Sequence, residues 1–292
     1  EDTEELAELI TKKAGERIFY LTPISEYESF GIGYDLTLTD FTTTIGSPII
    51  VTHHIADHGS KSIGLDLTAR YIHDTRDRTV FAEEGSLYSI SPNIFVALDG
   101  ASYALATFSS EHNTPYILKT FGFDWETVLQ LKTKVGIGTG LFGTTSLPFF
   151  SKYFAGGNRS VRGFKGSSLG PLTYNDPRSS NTCAAKAVPG KFIKCDSVGG
   201  DFLTTAQASW IFPPPPFLGV DNRTARFILF ADIGNVFEDI NDFDYNELRA
   251  SYGIQAQFLT PVGAVSIGFV DTFISEEGDD TQPVIFSLGG GF

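Results

Sequence analysis

Arg249-Ala250-Ser251-Tyr252-Gly253-Ile254-Gln255-Ala256-Gln257-Phe258 is the stretch that decides the fold. Ala250, Tyr252, Ile254, Ala256 and Phe258 share one parity, while Arg249, Ser251, Gly253, Gln255 and Gln257 share the other. A period of two sorts side chains onto two faces only when the backbone is extended. The same pattern recurs upstream. Phe30, Ile32, Tyr34, Leu36 and Leu38 alternate with Gly31, Gly33, Asp35 and Thr37, and Leu65, Leu67, Ala69 and Tyr71 with Asp66, Thr68 and Arg70. Leu129, Leu131, Val135 and Ile137 alternate with Gln130, Lys132 and Lys134, and Phe202, Ala206, Ala208 and Trp210 with Thr205, Gln207 and Ser209.

Two architectures put such strands to use. A soluble sandwich turns the apolar face into a core, whereas a transmembrane barrel turns it to lipid and lines a wet lumen with the polar face. Strand length, the shortage of helical patterns and the unequal connections favour an all-β, transmembrane antiparallel barrel. Short links such as Thr22-Pro23-Ile24-Ser25 and Thr260-Pro261-Val262-Gly263 contrast with long polar ones at about 39–62 and 165–200. About eleven strands are expected, at 15–23, 28–38, 62–73, 86–95, 114–123, 127–138, 201–212, 224–236, 248–259, 264–273 and 283–292. Tyr103–Ser109 fits either a further short strand or a loop, and Glu4–Ile10 within an acidic amphipathic start fits a short helix. An odd strand count implies further strands before this stretch, because a barrel closes to hide its edges from lipid.

Composition excludes other classes. Lys and Arg total 21 against 35 Asp and Glu, a formal net charge of −14 in 292 residues, which argues against nucleic-acid binding. No apolar run approaches the roughly 18–20 residues of a spanning helix, and barrel strands need only about 9–11. The 26 Phe and 30 Gly suit aromatic girdles and tight strand packing, and a soluble sandwich could share them. Cys183 and Cys195 lie close together in a polar loop, so either a disulfide in an oxidising compartment or two free thiols fits. No signal peptide stands at Glu1, so the chain reads as a mature fragment of an exported protein.

Phe154-Ala155-Gly156-Gly157-Asn158-Arg159-Ser160-Val161-Arg162-Gly163-Phe164 opens the longest polar loop. Its Val-Arg-Gly-Phe core resembles the hallmark loop of the BamA family, barrels that insert or translocate proteins at the bacterial outer membrane. Tyr20–Tyr27, Asp196–Gly200, Phe230–Phe237 and Phe258–Gly263 resemble further family segments in the right order, so the likeness spans nearly the whole chain. It implies the C-terminal portion (1–292) of a barrel of about sixteen strands, with the hallmark loop at about 152–200 and the first strands and periplasmic domains absent. It also implies that Arg162 folds into the lumen and pairs with Asp232, that Gly163 lets the loop turn closely, and that Phe164 wedges against the wall. A second family acid falls at Ser209, a departure from the pattern. At the C-terminus, Gly289, Gly290 and Gly291 before Phe292 imply a weakly paired seam where a client strand can add by β-augmentation.

The function so implied is non-enzymatic folding and insertion of β-barrel clients at the bacterial outer membrane. The partners would be unfolded outer-membrane β-barrel clients, accessory Bam lipoproteins, and outer-membrane lipid and lipopolysaccharide, with no cofactor and no metal. A TamA-like or two-partner secretion translocator is the alternative, and a passive porin the one after it. Other motifs carry less. His53-His54-Ile55-Ala56-Asp57-His58 has metal-like spacing but reads as an external loop, and Gly136-x-Gly138-x-Gly140 mimics a dinucleotide fingerprint without the following helix. Pro213–Pro216 reads as a stiff turn.

Overall fold

Eleven strands hydrogen-bond side by side in one antiparallel sheet. The structure, a computed structural model, describes residues 9–43, 49–120, 123–173, 196–215, 224–260, 263–276 and 278–288. The first six strands are β1 (Leu9–Pro23), β2 (Glu28–Thr43), β3 (Lys61–Asp74), β4 (Gly85–Asp99), β5 (Ser102–Thr120) and β6 (Phe123–Leu141). A long connection containing the two-residue strands β7 (Leu172–Thr173) and β8 (Asp196–Ser197) follows. The sheet resumes with β9 (Phe202–Phe212), β10 (Ala225–Phe237), β11 (Arg249–Thr260), β12 (Gly263–Ile274) and β13 (Val284–Leu288). Each strand pairs with its sequence neighbour, β6 with β9 across the long loop, so β1 and β13 are the sheet's two edges.

Burial is inverted relative to a soluble protein. On β11, Tyr252 and Ile254 are 49% and 54% exposed, whereas Ser251 and Gln255 on either side of them are 0% and 4% exposed. Leu229 and Ile233 of β10 face out while Asp232 is buried; Ile267 and Phe269 of β12 face out while Ser266 is buried. Exposed aliphatic stripes over a polar inner face are what lipid outside and a lumen inside require. No described helix is long and apolar enough to cross a membrane.

Three expectations change. Leu9–Ala14 is not helical: it extends β1, pairing from Leu9↔Thr43 to Ala14↔Leu38 of a β2 that is longer than expected. Tyr103–Ser109 is neither loop nor separate strand but the first half of β5, paired with β4 and β6. Of its outward positions from 104 to 114, Phe108 is the one large apolar side chain among Ala104, Ala106, Ser110, His112 and Thr114, so pairing on both sides, rather than pattern, holds it extended. The His-bearing segment is a helix, α1 (Ile49–His58), in the β2–β3 connection. His54 packs edge-on among Phe41, Phe149 and Phe150, which cover one helix face.

The connections between β2 and β3, β6 and β9, β10 and β11, and β12 and β13 share one end of the wall, the long-loop end. The two residues 100–101 between β4 and β5 are a tight turn at that same end. At the opposite, short-turn end, two residues each separate β5 from β6 and β11 from β12.

Candidate functional site

The first described part of the β6–β9 loop, up to Thr173, folds back into the lumen, and the lumen face of β6 is cut to receive it. A side chain at Gly138 would collide with Leu147, and one at Gly136 would come within 2.5 Å of the Tyr153 ring. The glycine run that mimics a nucleotide fingerprint is therefore a seat for this loop. Tyr153 hydroxyl donates to the Ala106 carbonyl at 3.1 Å, and its backbone pairs with Gly200. Asp201 accepts from the Leu147 N–H at 2.9 Å, and Lys152 Nζ lies 3.7 Å from its other oxygen, an ion pair without a hydrogen bond. Burial pushes the Asp201 carboxyl up, against the pull of the Leu147 N–H and Lys152.

From there the chain bends back on itself. Gly157 N–H donates to the Phe164 carbonyl at 2.9 Å, and Gly156 and Gly157 take φ of 104° and 84°. That fold presents Val161, Arg162, Gly163 and Phe164 to the wall. Val161 and Phe164, 0% and 1% exposed, close a small apolar core with Ala155, Leu169, Leu203 and Val236. Gly163 adopts φ 86°, and a Cβ there would sit 2.6 Å from Val270 Cγ1, so both conformation and space call for glycine.

Arg162 reaches the inner face of β9, β10 and β11. Its Nε donates to Asp232 Oδ2 and its Nη2 to Asp232 Oδ1, each at 2.7 Å, the bidentate fork geometry. Its backbone N–H also donates to Asp232 Oδ2 at 3.0 Å. Nη1 donates to Gln255 Oε1 at 3.1 Å and Nη2 to Ser209 Oγ at 3.2 Å. The Ser251 hydroxyl donates to the Arg162 carbonyl, and the guanidinium carbon lies 3.7 Å from the Phe230 ring centroid. Strand register assembles this pocket: Asp232 sits opposite Ser251, and Phe230 lies between Ser209 and Gly253. The absent side chain of Gly253 makes room for the Phe230 ring. Asp232 is 2% exposed, so its charge is met almost wholly by Arg162.

Beyond Arg162 the loop binds the connection that leads to β13. Gln282 N–H donates to the Gly163 carbonyl at 2.8 Å, and Lys165 N–H to the Asp280 carbonyl at 2.8 Å. Asn158 Nδ2 donates to the Phe286 carbonyl within β13 at 3.4 Å. Arg249 at the start of β11 grips the same connection through Asp279 at 2.7 Å and Glu276 at 2.8 Å.

The structure thus brings Arg162 together with Asp232, and Ser209, at the expected second-acid position, is a neutral third partner. Gln255, Ser251 and Phe230, and the link to β13, were not anticipated. The alternation shows Ser251 and Gln255 on the lumen face, but only register places them at Arg162. Cys183, Cys195, Gly289, Gly290, Gly291 and Phe292 lie outside the described residues. Among the described residues no cluster of His, Asp and Glu is arranged to hold a metal.

A meander of lipid-facing strands whose lumen is occupied by a loop ion-paired to the inner wall defines a plugged transmembrane β-barrel. The chain belongs to the Omp85 superfamily, whose domain matches residues 1–292. It is 27% identical to the outer membrane protein assembly factor BamA of Neisseria meningitidis serogroup B, over 97% of this chain and 36% of that protein. It is 26% identical to the SAM50-like protein CG7639 of Drosophila melanogaster, over 79% of this chain and 49% of that protein. The chain therefore spans between about a third and a half of these relatives' lengths.

Among solved structures, BamA from Haemophilus ducreyi lacking POTRA domains 1-3 superposes with a TM-score of 0.76 at 22% identity, over 94% of this chain and 53% of that one. CdiB from Acinetobacter baumannii superposes with a TM-score of 0.56 at 14% identity, over 94% of this chain and 40% of that one. At these identities both likenesses speak to the fold. The chain is an integral β-barrel of the bacterial outer membrane.

Proposed function

We propose that this chain is the C-terminal part of the barrel of an assembly factor that folds and inserts β-barrel proteins into the bacterial outer membrane. The observation that carries the reading is a continuous chain of contacts. Asp232 holds Arg162, Gly163 next to it binds Gln282, and Asn158 binds Phe286 in the edge strand β13. The loop and the last described strand are thereby one mechanical unit.

The mechanism uses no covalent chemistry. A weakly paired strand at a barrel seam leaves backbone groups poorly satisfied in lipid, and a client strand that pairs with it removes that cost. The loop fixes the position of β13 from the lumen side, so the edge stays available as a template rather than collapsing inward. Gly289, Gly290 and Gly291, beyond the described residues, are by residue type poor strand formers, since glycine adds no packing and loses the most conformational entropy on pairing. The driving force is burial of the client's apolar face in lipid and its backbone pairing. Accessory lipoproteins would act through parts of the protein beyond this barrel stretch.

The test places the full-length protein in liposomes, adds an unfolded outer-membrane barrel, and follows protease protection and heat-modifiable gel mobility. Acceleration that is lost in Arg162→Ala and Asp232→Ala supports the proposal. No acceleration, with protein passage instead, supports a translocator; steady large conductance supports a porin. A loop seated across the lumen argues against the last of these.

A further inference from the structure

A second arginine is buried in the lumen, at the short-turn end. Arg226, near the start of β10, shares the inward parity of Asp232 and is 8% exposed. Its Nε donates to Gln257 Oε1 at 2.7 Å, and its guanidinium carbon lies 3.9 Å from the Phe81 ring centroid. Phe81 belongs to the β3–β4 connection, where it takes φ 59° and is 7% exposed.

The neighbouring cations already have carboxylates. Arg76 pairs with Asp74 at 2.9 Å and Lys132 with Glu111 at 3.6 Å, and Arg76 also reaches Glu111 at 3.4 Å. Arg226 makes no ion pair among the described residues: its contact partners, an amide oxygen and a ring, are neutral, and the Glu111 carboxylate whose charge acts on it is already shared by Arg76 and Lys132. A guanidinium taken out of water without a carboxylate in contact carries a desolvation cost that a bound anion offsets.

A cavity of about 230 Å³ lies against this side chain, walled on its apolar side by Phe81, Val128, Ile211, Phe212 and Pro213. We propose that the cavity binds a carboxylate carried on an apolar group, either the free C-terminus of an extended polypeptide or a fatty acid. With Nε engaged by Gln257, the two terminal nitrogens remain to grip two carboxylate oxygens in a fork. Glu83 and Glu126 also line the space. Their charges disfavour a phosphate dianion more than a carboxylate monoanion, and the apolar wall takes the rest of the ligand.

Calorimetric titration of the full-length protein in nanodiscs tests this with decanoate and N-acetylphenylalanine, alongside decanol and N-acetylphenylalaninamide as neutral counterparts. At least one carboxylate should bind saturably, with its neutral counterpart weaker by about tenfold or more. Arg226→Gln should lose a similar factor, and Ala82→Phe, which fills the cavity from the connection and leaves Arg226 in place, should also lose binding. The tighter of the two carboxylates identifies the source, chain end or fatty acid. Equal binding of neutral counterparts, wild-type binding by Ala82→Phe or by a heat-modifiable Arg226→Gln, or no saturable binding of either acid overturns the proposal.

Discussion

Two buried arginines stand in the same lumen, each stacked on a phenylalanine, and they differ in a single respect. Arg162 lies over Phe230 with its charge met by Asp232 at 2.7 Å, whereas Arg226 lies over Phe81 with only an amide oxygen as polar partner. The first is a lock, with charge and hydrogen bonds closed within the chain. The second has no ion pair of its own among the described residues and stands beside a cavity, its nearest acting carboxylate, Glu111, shared with Arg76 and Lys132. Burial alone therefore does not tell what an arginine is for; the account of its donors does.

The comparison can be broken by mutation, and the largest effect belongs to the lock. Arg162→Ala or Asp232→Ala each leaves an uncompensated buried charge and should cost about 3–5 kcal/mol in denaturant unfolding. By contrast Arg226→Gln keeps the reach to Gln257 and removes a desolvated charge, so stability should change by less than about 1 kcal/mol, or rise. Equal destabilisation by Arg162→Ala and Arg226→Gln would erase the distinction between them. Gly163→Ala comes next. It places a Cβ against Val270 at a positive φ and should cost about 1–3 kcal/mol, read as an earlier loss of heat-modifiable mobility. Ser209→Ala removes one neutral acceptor from Nη2 and should cost about 1 kcal/mol.

A separate, local effect lies outside the membrane, in α1. Burial, then the neighbouring His58, pushes His54 down to about 4, with Asp57 opposing. A histidine with a lowered folded value is stabilising when neutral. That contribution is full above its ordinary 6.5, falls as the unfolded state takes up protons, and is gone once pH has dropped through about 4. Amide exchange should show α1 losing about tenfold protection on acidification across this range, with His54→Phe insensitive. Unchanged exchange in the native protein would remove His54 from the account.

Much of the wall was legible because lipid on one side and a lumen on the other write a period of two into most strands. It failed in the first part of β5, where Ser110 and His112 sit on the outer face and the neighbours enforce extension. It failed again at α1, whose helix depends on docking among Phe41, Phe149 and Phe150, residues distant in sequence. The Arg162–Asp232 pair followed from a family likeness and from strand parity. The rest of the pocket needed register, which no single strand contains: Gln255 reaches Arg162 only because of how β11 is aligned on β10. The Arg226 cavity had no signal, since Phe81 stands in a connection rich in Arg, Asp and Glu that reads as solvated.

The most direct test of the central claim is a double-mutant cycle over Arg162→Ala, Asp232→Ala and their combination, scored in full-length protein for both unfolding free energy and client folding rate in liposomes. The account predicts that the double variant loses far less stability than the two single losses added together, because it no longer buries a lone charge. It also predicts that client folding slows in all three variants, since each releases the loop from the wall and so from β13. Strong coupling in stability with client folding at the wild-type rate would contradict it and leave Arg162 as an anchor for the loop alone.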